Sequence, residues 1–566
     1  MHRNYSFQAL LIAGFLVMIS HTTSASPEAT ERAKKFLAGH ESRLRPLDVS
    51  SGLAWWNANI TGKDEDFKKK EEAQNKIDEA LASKENFAEL KAIKQLKDKG
   101  EVEDKVVARA IDVLYLMYLE KQVDPALLKK ITSEANAVEQ KFNVFRAKVD
   151  GKEMADSEVR EVLKKSSDSK RRQAVWEASK AVGANVEKEL KELVTLRNEM
   201  AKQLGFKNFH ALMLFLSEQD GDELIKLFDD LDTLTREPFL KAKAEVDQKL
   251  AATVGKKPEE LMPWDYHDPF FQESPAVFDA NLDEPFARAD ILKLCADFYK
   301  GIGLPIDSVL ARSDLYEKKG KSPHAFCTDI DREGDVRVLA NIVNNEYWMG
   351  TMLHELGHAV YSSKNIPNSV TYVLRGDAHI LATEGVAMQF ERFSKSRAWL
   401  EKMGVKVNDP AKFDVAAEKV RQNQLLIFSR WCQVMLRFEK AMYENPDQDL
   451  NKLWWDLVEK YQALKRPVGR NAPDYASKIH ICSAPVYYHN YMMGQLFASQ
   501  VHATIAKEIY KGADPRTVIY VGEPKVGEFM KKRVFEPGKT LDWRGLIKFA
   551  TGSELSPKAF AADFSR

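Results

Sequence analysis

Long stretches of this chain place apolar residues three and four positions apart between charged ones, and that period constrains the fold more than any other feature. Between Pro27 and about Leu310 it recurs, as in Val106-Ala110-Val113-Leu114-Met117 and Leu190-Leu193-Leu196-Met200. Such spacing gathers the apolar side chains on one face of a helix, so a helical scaffold is expected. The 566 residues contain no internal repeat and no Pro-rich, Gly/Ser-rich or like-charge linker. One large unit of two lobes is therefore expected over several average domains. The 44% hydrophobic content supplies a large core and excludes a disordered chain.

Lys plus Arg and Asp plus Glu number 84 each, so no net field draws the molecule to nucleic acid or to an anionic membrane surface. Mixed runs such as Lys68-Lys69-Lys70-Glu71-Glu72 read as solvated helix faces. The aromatic positions Trp55-Trp56, Trp264 and Phe270-Phe271 read as one core cluster rather than a cofactor box. At the N-terminus, His2 and Arg3 precede an apolar run from Ala9 to Ile19 and then Thr23-Ser24-Ala25. That is the layout of a secretory leader. Helix over the run would span only about 16 Å, short of a hydrocarbon core of roughly 30 Å. Cleavage after Ala25 is expected, leaving residues 26–566 as a single secreted or periplasmic unit. Four cysteines, Cys295, Cys327, Cys432 and Cys482, are too few for disulfides to be the main framework.

Between Pro323 and Val343 the period changes. The β-prone runs His324-Ala325-Phe326-Cys327-Thr328 and Val336-Arg337-Val338-Leu339-Ala340 flank Asp331-Arg332-Glu333-Gly334, which reads as a β-hairpin. The segment from Trp348 to Tyr361 follows, apolar and free of proline, and reads as a buried helix. It contains His354-Glu355-Leu356-Gly357-His358. Histidines four apart project from one helical face and can hold a single ion. Glu355 lies about 100° round the helix from His354, where a carboxylate can reach a metal-bound water without being a ligand. Gly357 would admit another backbone or a substrate closely. This is a zinc-peptidase pattern with Glu355 as general base. A catalytic zinc wants a third protein ligand. Glu384 is the candidate, a lone carboxylate in the apolar helical stretch from Ile380 to Phe393, where burial is costly unless the charge is paired. Glu391 and His379 are the alternatives. A further helix is expected from Val486 to Ile505.

Several collinear blocks extend the picture: Ala54-Trp55-Trp56-Asn57-Ala58-Asn59-Ile60-Thr61, His324-Ala325, Asp335-Val336-Arg337-Val338, the two helices just named, and the stretch from Asp474 to Tyr491. Through them the sequence resembles the zinc metallopeptidases of the angiotensin-converting enzyme (peptidyl-dipeptidase A) family, in particular its shorter single-domain bacterial and invertebrate members. The resemblance implies a mainly α fold, a two-lobed helical ellipsoid with a deep central cleft and a small β-hairpin beside the zinc helix. It implies one Zn2+ per chain on His354, His358 and Glu384, with Glu355 as general base. Lys478 then receives the substrate C-terminal carboxylate, His480 lies near the scissile peptide, Tyr488 is a carboxylate partner and Tyr491 an oxyanion donor. His324 and Ala325 hold the peptide backbone, which could add itself as a strand to the hairpin edge. The implied activity is release of C-terminal dipeptides from short peptides. A monomer is expected, with no nucleic-acid partner and no membrane attachment once the leader is removed.

The sequence departs from the family pattern in three places. One extra residue separates His480 from the tyrosines, so the loop between Ile481 and Pro485 must differ. The family's chloride-binding arginine falls at Asn490, which argues against strong chloride activation. A glutamine that serves as a further carboxylate partner falls at Tyr266, with Gln272 close by. Dipeptide release is thus less secure than peptidase activity, and an oligoendopeptidase without a strict carboxylate requirement is the alternative. A catalytically silent helical binding protein is a third reading, but it predicts loss of a ligand or of the glutamate, and neither is lost. If His324 and His480 line one cleft, Cys327 and Cys482 are neighbours that could pair.

Overall fold

A computed structural model describes residues 27–278 and 281–565; the expected leader, residues 1–25, lies outside the described residues. The architecture is mainly α, with two small two-stranded antiparallel sheets among the described residues. The first three hundred positions follow the 3.6-residue period in long helices, Ser169–Gln203 and Gly221–Val254 among them. The largest apolar core runs from Val123 to Phe560. A second core belongs to the N-terminal helices between Pro27 and Glu120 and is closed by Val373 and Leu374 from much later in the chain. No described helix is long and apolar enough to cross a membrane.

The expected hairpin pairs Phe326–Asp329 with Val336–Leu339, Phe326 opposite Leu339. Its first strand packs against the helix that follows, and Asp314 covers the outer edge of the second strand. The strand starts at Phe326, so His324 and Ala325 precede it rather than open it. A further hairpin, Ala147–Val149 with Lys152–Met154, went unread in the sequence. Its turn residues Asp150 and Gly151 have φ of 53° and 75°, the left-handed pair that a tight Asp-Gly hairpin turn needs.

Three helices build the centre of the molecule. The motif helix, Glu346–Val360, starts where the Asn345 side chain accepts from the Trp348 N–H at 2.9 Å, an N-cap that satisfies an otherwise orphaned donor. The glutamate helix is Ile380–Glu391 and the tyrosine helix His489–Glu508. Glycine lets their backbones meet. A Cβ built on Gly357 would lie 2.8 Å from Cα of Ala387, and one on Gly385 would lie 2.8 Å from the carbonyl oxygen of Gly494. Gly357 therefore admits a neighbouring helix, not a substrate.

The expected aromatic cluster divides in two. Trp55 and Trp56 pack on Phe326 of the hairpin, with ring centres 4.2 and 6.2 Å away. Trp264 packs on Trp176, and Phe270 packs on Trp431 and Trp454. All four cysteines are unpaired, so the Cys327–Cys482 bridge is not formed. The Cys482 thiol faces the Ala476 carbonyl oxygen at 3.7 Å, while Cys327 lies beside Glu355.

Candidate metal centre and its cleft

One ligand atom each from His354, His358 and Glu384 falls within 4.8 Å of the others. The two Nε2 atoms are 3.2 Å apart, and a Glu384 oxygen lies 3.5 Å from one and 3.9 Å from the other. Two donors about 2.0–2.1 Å from a tetrahedral ion would stand about 3.3 Å apart, so the spacing suits zinc. The outer nitrogens are occupied: His354 Nδ1 meets Glu391 at 2.8 Å and His358 Nδ1 meets Thr383 Oγ1 at 2.7 Å. With Nδ1–H donating in each ring, both Nε2 lone pairs point at one spot, where only a proton or a cation relieves their repulsion. Glu391, an alternative third ligand in the sequence, instead orients His354. His379 faces the Ser217 carbonyl oxygen at 3.0 Å and caps the glutamate helix.

Glu355 is buried next to this cluster. Burial pushes its carboxyl up to about 7; His354 and the backbone N–H of Cys327 on the hairpin oppose that, and the Glu384 and Glu391 charges reinforce it. A carboxyl poised near neutrality suits proton transfer in both directions.

The Lys478 ammonium donates to Gln272 Oε1 at 2.7 Å, and the Tyr488 hydroxyl reaches the same oxygen at 3.5 Å. The glutamine beside this lysine and tyrosine is thus Gln272, and the alignment to Tyr266 is corrected. Tyr266 is buried against Asp247 and Lys243, at 2.8 and 2.9 Å. Burial draws Lys478 down to about 8, against the attraction of Asp268. Gln272 and Lys478 open on a cavity of about 610 Å³ that His324 also lines. Asn490, at the position of the chloride arginine, accepts from Gln219 at 2.8 Å.

His480 packs its ring 5.0 Å from that of Tyr488, and its buried Nδ1 has no partner. Tyr491 feels the Glu384 charge, as does Tyr487, whose ring lies 5.3 Å from that of Tyr491. Tyr487 had only aromatic packing to recommend it in the sequence; its place beside Glu384 depends on the turn before it. Val486 has a φ of 57°, a conformation costing a β-branched residue about 1–3 kcal/mol. Two buried side chains hold that loop. Arg197 donates to the Cys482 carbonyl oxygen at 3.1 Å, and Glu439 accepts from the Val486 N–H at 2.8 Å.

Burial raises Glu439 from 4.5 to about 8, against the pull of the Val486 N–H and Arg197. Between those values the unfolded chain has released this proton while the folded one keeps it, so raising the pH favours unfolding. Glu439→Gln keeps an oxygen for Val486 and removes the titration. Thermal melts from pH 4.5 to 8 should therefore show a shallower loss of stability in the variant; an unchanged slope would refute the assignment.

Comparison with known proteins finds similarity to two peptidase families. Residues 27–257 match the family model described as angiotensin-converting enzyme, and residues 310–566 match that of peptidase family M3. The two matches indicate a zinc metallopeptidase. The chain is 20% identical over 442 residues to the angiotensin-converting enzyme of Theromyzon tessulatum, covering 72% of this chain and 70% of that protein. It is 22% identical to the angiotensin-converting enzyme-like protein Ace3 of Mus musculus over 72% of this chain and 59% of that one. With the angiotensin-converting enzyme of Rattus norvegicus it shares 22% identity over 47% of this chain and 21% of that protein. Within that class, the chain is similar to angiotensin-converting-enzyme-like metallopeptidases.

Proposed function

We propose that the protein is a zinc-dependent dipeptidyl carboxypeptidase acting on short peptides, with one Zn2+ on His354, His358 and Glu384. The observation that carries this reading is the convergence of those three donors beside a buried Glu355. When bound, zinc supplies Lewis-acid polarisation of the scissile carbonyl and lowers the pKa of a coordinated water. Glu355 takes the proton of the attacking water and returns it to the leaving amine. The Tyr491 phenol, with His480 nearby, donates to the oxygen on which charge develops. Lys478, Tyr488 and Gln272 hold the free C-terminal carboxylate, and His324 and Ala325 line the path of the peptide backbone.

Residues 1–25 are read as a secretory leader, with 26–566 as one secreted or periplasmic peptidase unit. The match of residues 310–566 to peptidase family M3 favours a second reading, an oligoendopeptidase indifferent to the C-terminal carboxylate. Product masses separate the two. Incubated with a defined mixture of short peptides, the zinc-loaded protein should release C-terminal dipeptides; internal cuts at varied distances from the end would favour the second reading, and no cleavage would remove both.

A further inference from the structure

Lys180 is a cation that the proposed reaction does not use. It stands on the long helix Ser169–Gln203, 4% exposed, in the wall of the cavity that Gln272, Lys478 and His324 also line. Its ammonium lies 3.1 Å from the centre of the Phe270 ring and 5.4 Å from that of Trp176. Among the described residues it has no hydrogen-bond or ion-pair partner. The nearby anions are committed elsewhere: Asp474 to Arg470 at 2.6 Å and to the Trp455 indole at 3.0 Å, and Asp268 to the N–H groups of Phe270 and Gln272 at 2.9 and 3.0 Å. Burial pushes the Lys180 ammonium down to about 7, opposed by the charges of Asp474 and Asp268. A buried cation without a counterion is costly, and an anion arriving in the cavity would supply one.

The position of Lys478 says what kind of anion. Its ammonium lies 5.3 Å from the centre of the same Phe270 ring, so the proposed anchor for the α-carboxylate and a second, uncommitted ammonium both lie against one phenyl ring. A C-terminal aspartate or glutamate carries two carboxylates on one residue, a few ångströms apart. We propose that Lys180 receives the side-chain carboxylate of an acidic C-terminal residue while Lys478, Gln272 and Tyr488 hold its α-carboxylate, so that peptides ending in glutamate or aspartate are preferred substrates. This inference rests on the carboxylate-pocket reading above.

The test compares two peptides of one sequence ending in Glu or in Gln, each also as its C-terminal amide, with the zinc-loaded chain. A charge-assisted contact predicts a Glu to Gln ratio of kcat/KM of about ten or more. In Lys180→Met the ratio should fall to about one, while Lys180→Arg should keep it. A wild-type ratio of one, or an unchanged ratio in Lys180→Met, overturns the proposal, as does a released fragment one residue longer than a dipeptide. Lys180→Gln repeats the measurement should the methionine variant not fold. The amides test the underlying reading separately: if amidation leaves the Gln peptide as fast as before, the carboxylate pocket fails whatever Lys180 does.

Discussion

Glu355→Gln should leave a folded protein that retains zinc and hydrolyses peptide at a rate lower by about 10²- to 10⁴-fold, the usual value of a positioned acid–base group. The amide has the shape of the carboxylate and cannot accept a proton. It adds no ligand and removes none, because the converging donors are His354, His358 and Glu384. Metal content by elemental analysis should match the parent while kcat collapses. Retained turnover would rule out Glu355 as the base. Loss of metal together with activity would mean that its carboxylate helps hold the ion.

The second large effect is expected at the other end of the cleft. Lys478→Met removes the ammonium that donates to Gln272, and of the proposed carboxylate anchor only the neutral Gln272 and Tyr488 would remain. Losing one member of a buried charge pair typically costs about 3–5 kcal/mol, so kcat/KM on free peptides should fall by about two to four orders of magnitude. Amidation of the substrate removes the other member and should slow the parent enzyme to a similar degree. The two changes should not add, since either alone abolishes the pair. Additive losses would separate the lysine from the carboxylate.

What could be read from the sequence followed from distance along the chain. Histidines four apart on a helix must share a face, so the paired imidazoles were legible before any fold was known. Glu384 was legible because a lone carboxylate in an apolar helix needs a reason. Gln272 was not: it comes to Lys478 across 206 residues, and the alignment placed the nearby Tyr266 there instead. Only the fold decides which side chain faces the cleft. The pair Trp55-Trp56 was expected with Trp264 and Phe270, yet belongs to the hairpin, because adjacency of aromatic residues says nothing about which core they enter. The Ala147–Val149 hairpin had a local signal in Asp150-Gly151, overlooked inside a strongly helical region. The clamp of Arg197 and Glu439 on the loop before the tyrosines left no trace in the sequence. Both stand among other charged residues on long helices, indistinguishable there from solvated ones.

The close approach through Gly357, Gly385 and Gly494 has a bearing on how such a protein can change. Where main chain touches main chain, the separation of the helices that carry the metal donors is set by the scaffold. The walls that read the substrate, Lys180 and Phe270 among them, hang from other segments. New preferences can therefore be written into those walls by ordinary substitutions, with the hydrolytic centre carried along unaltered.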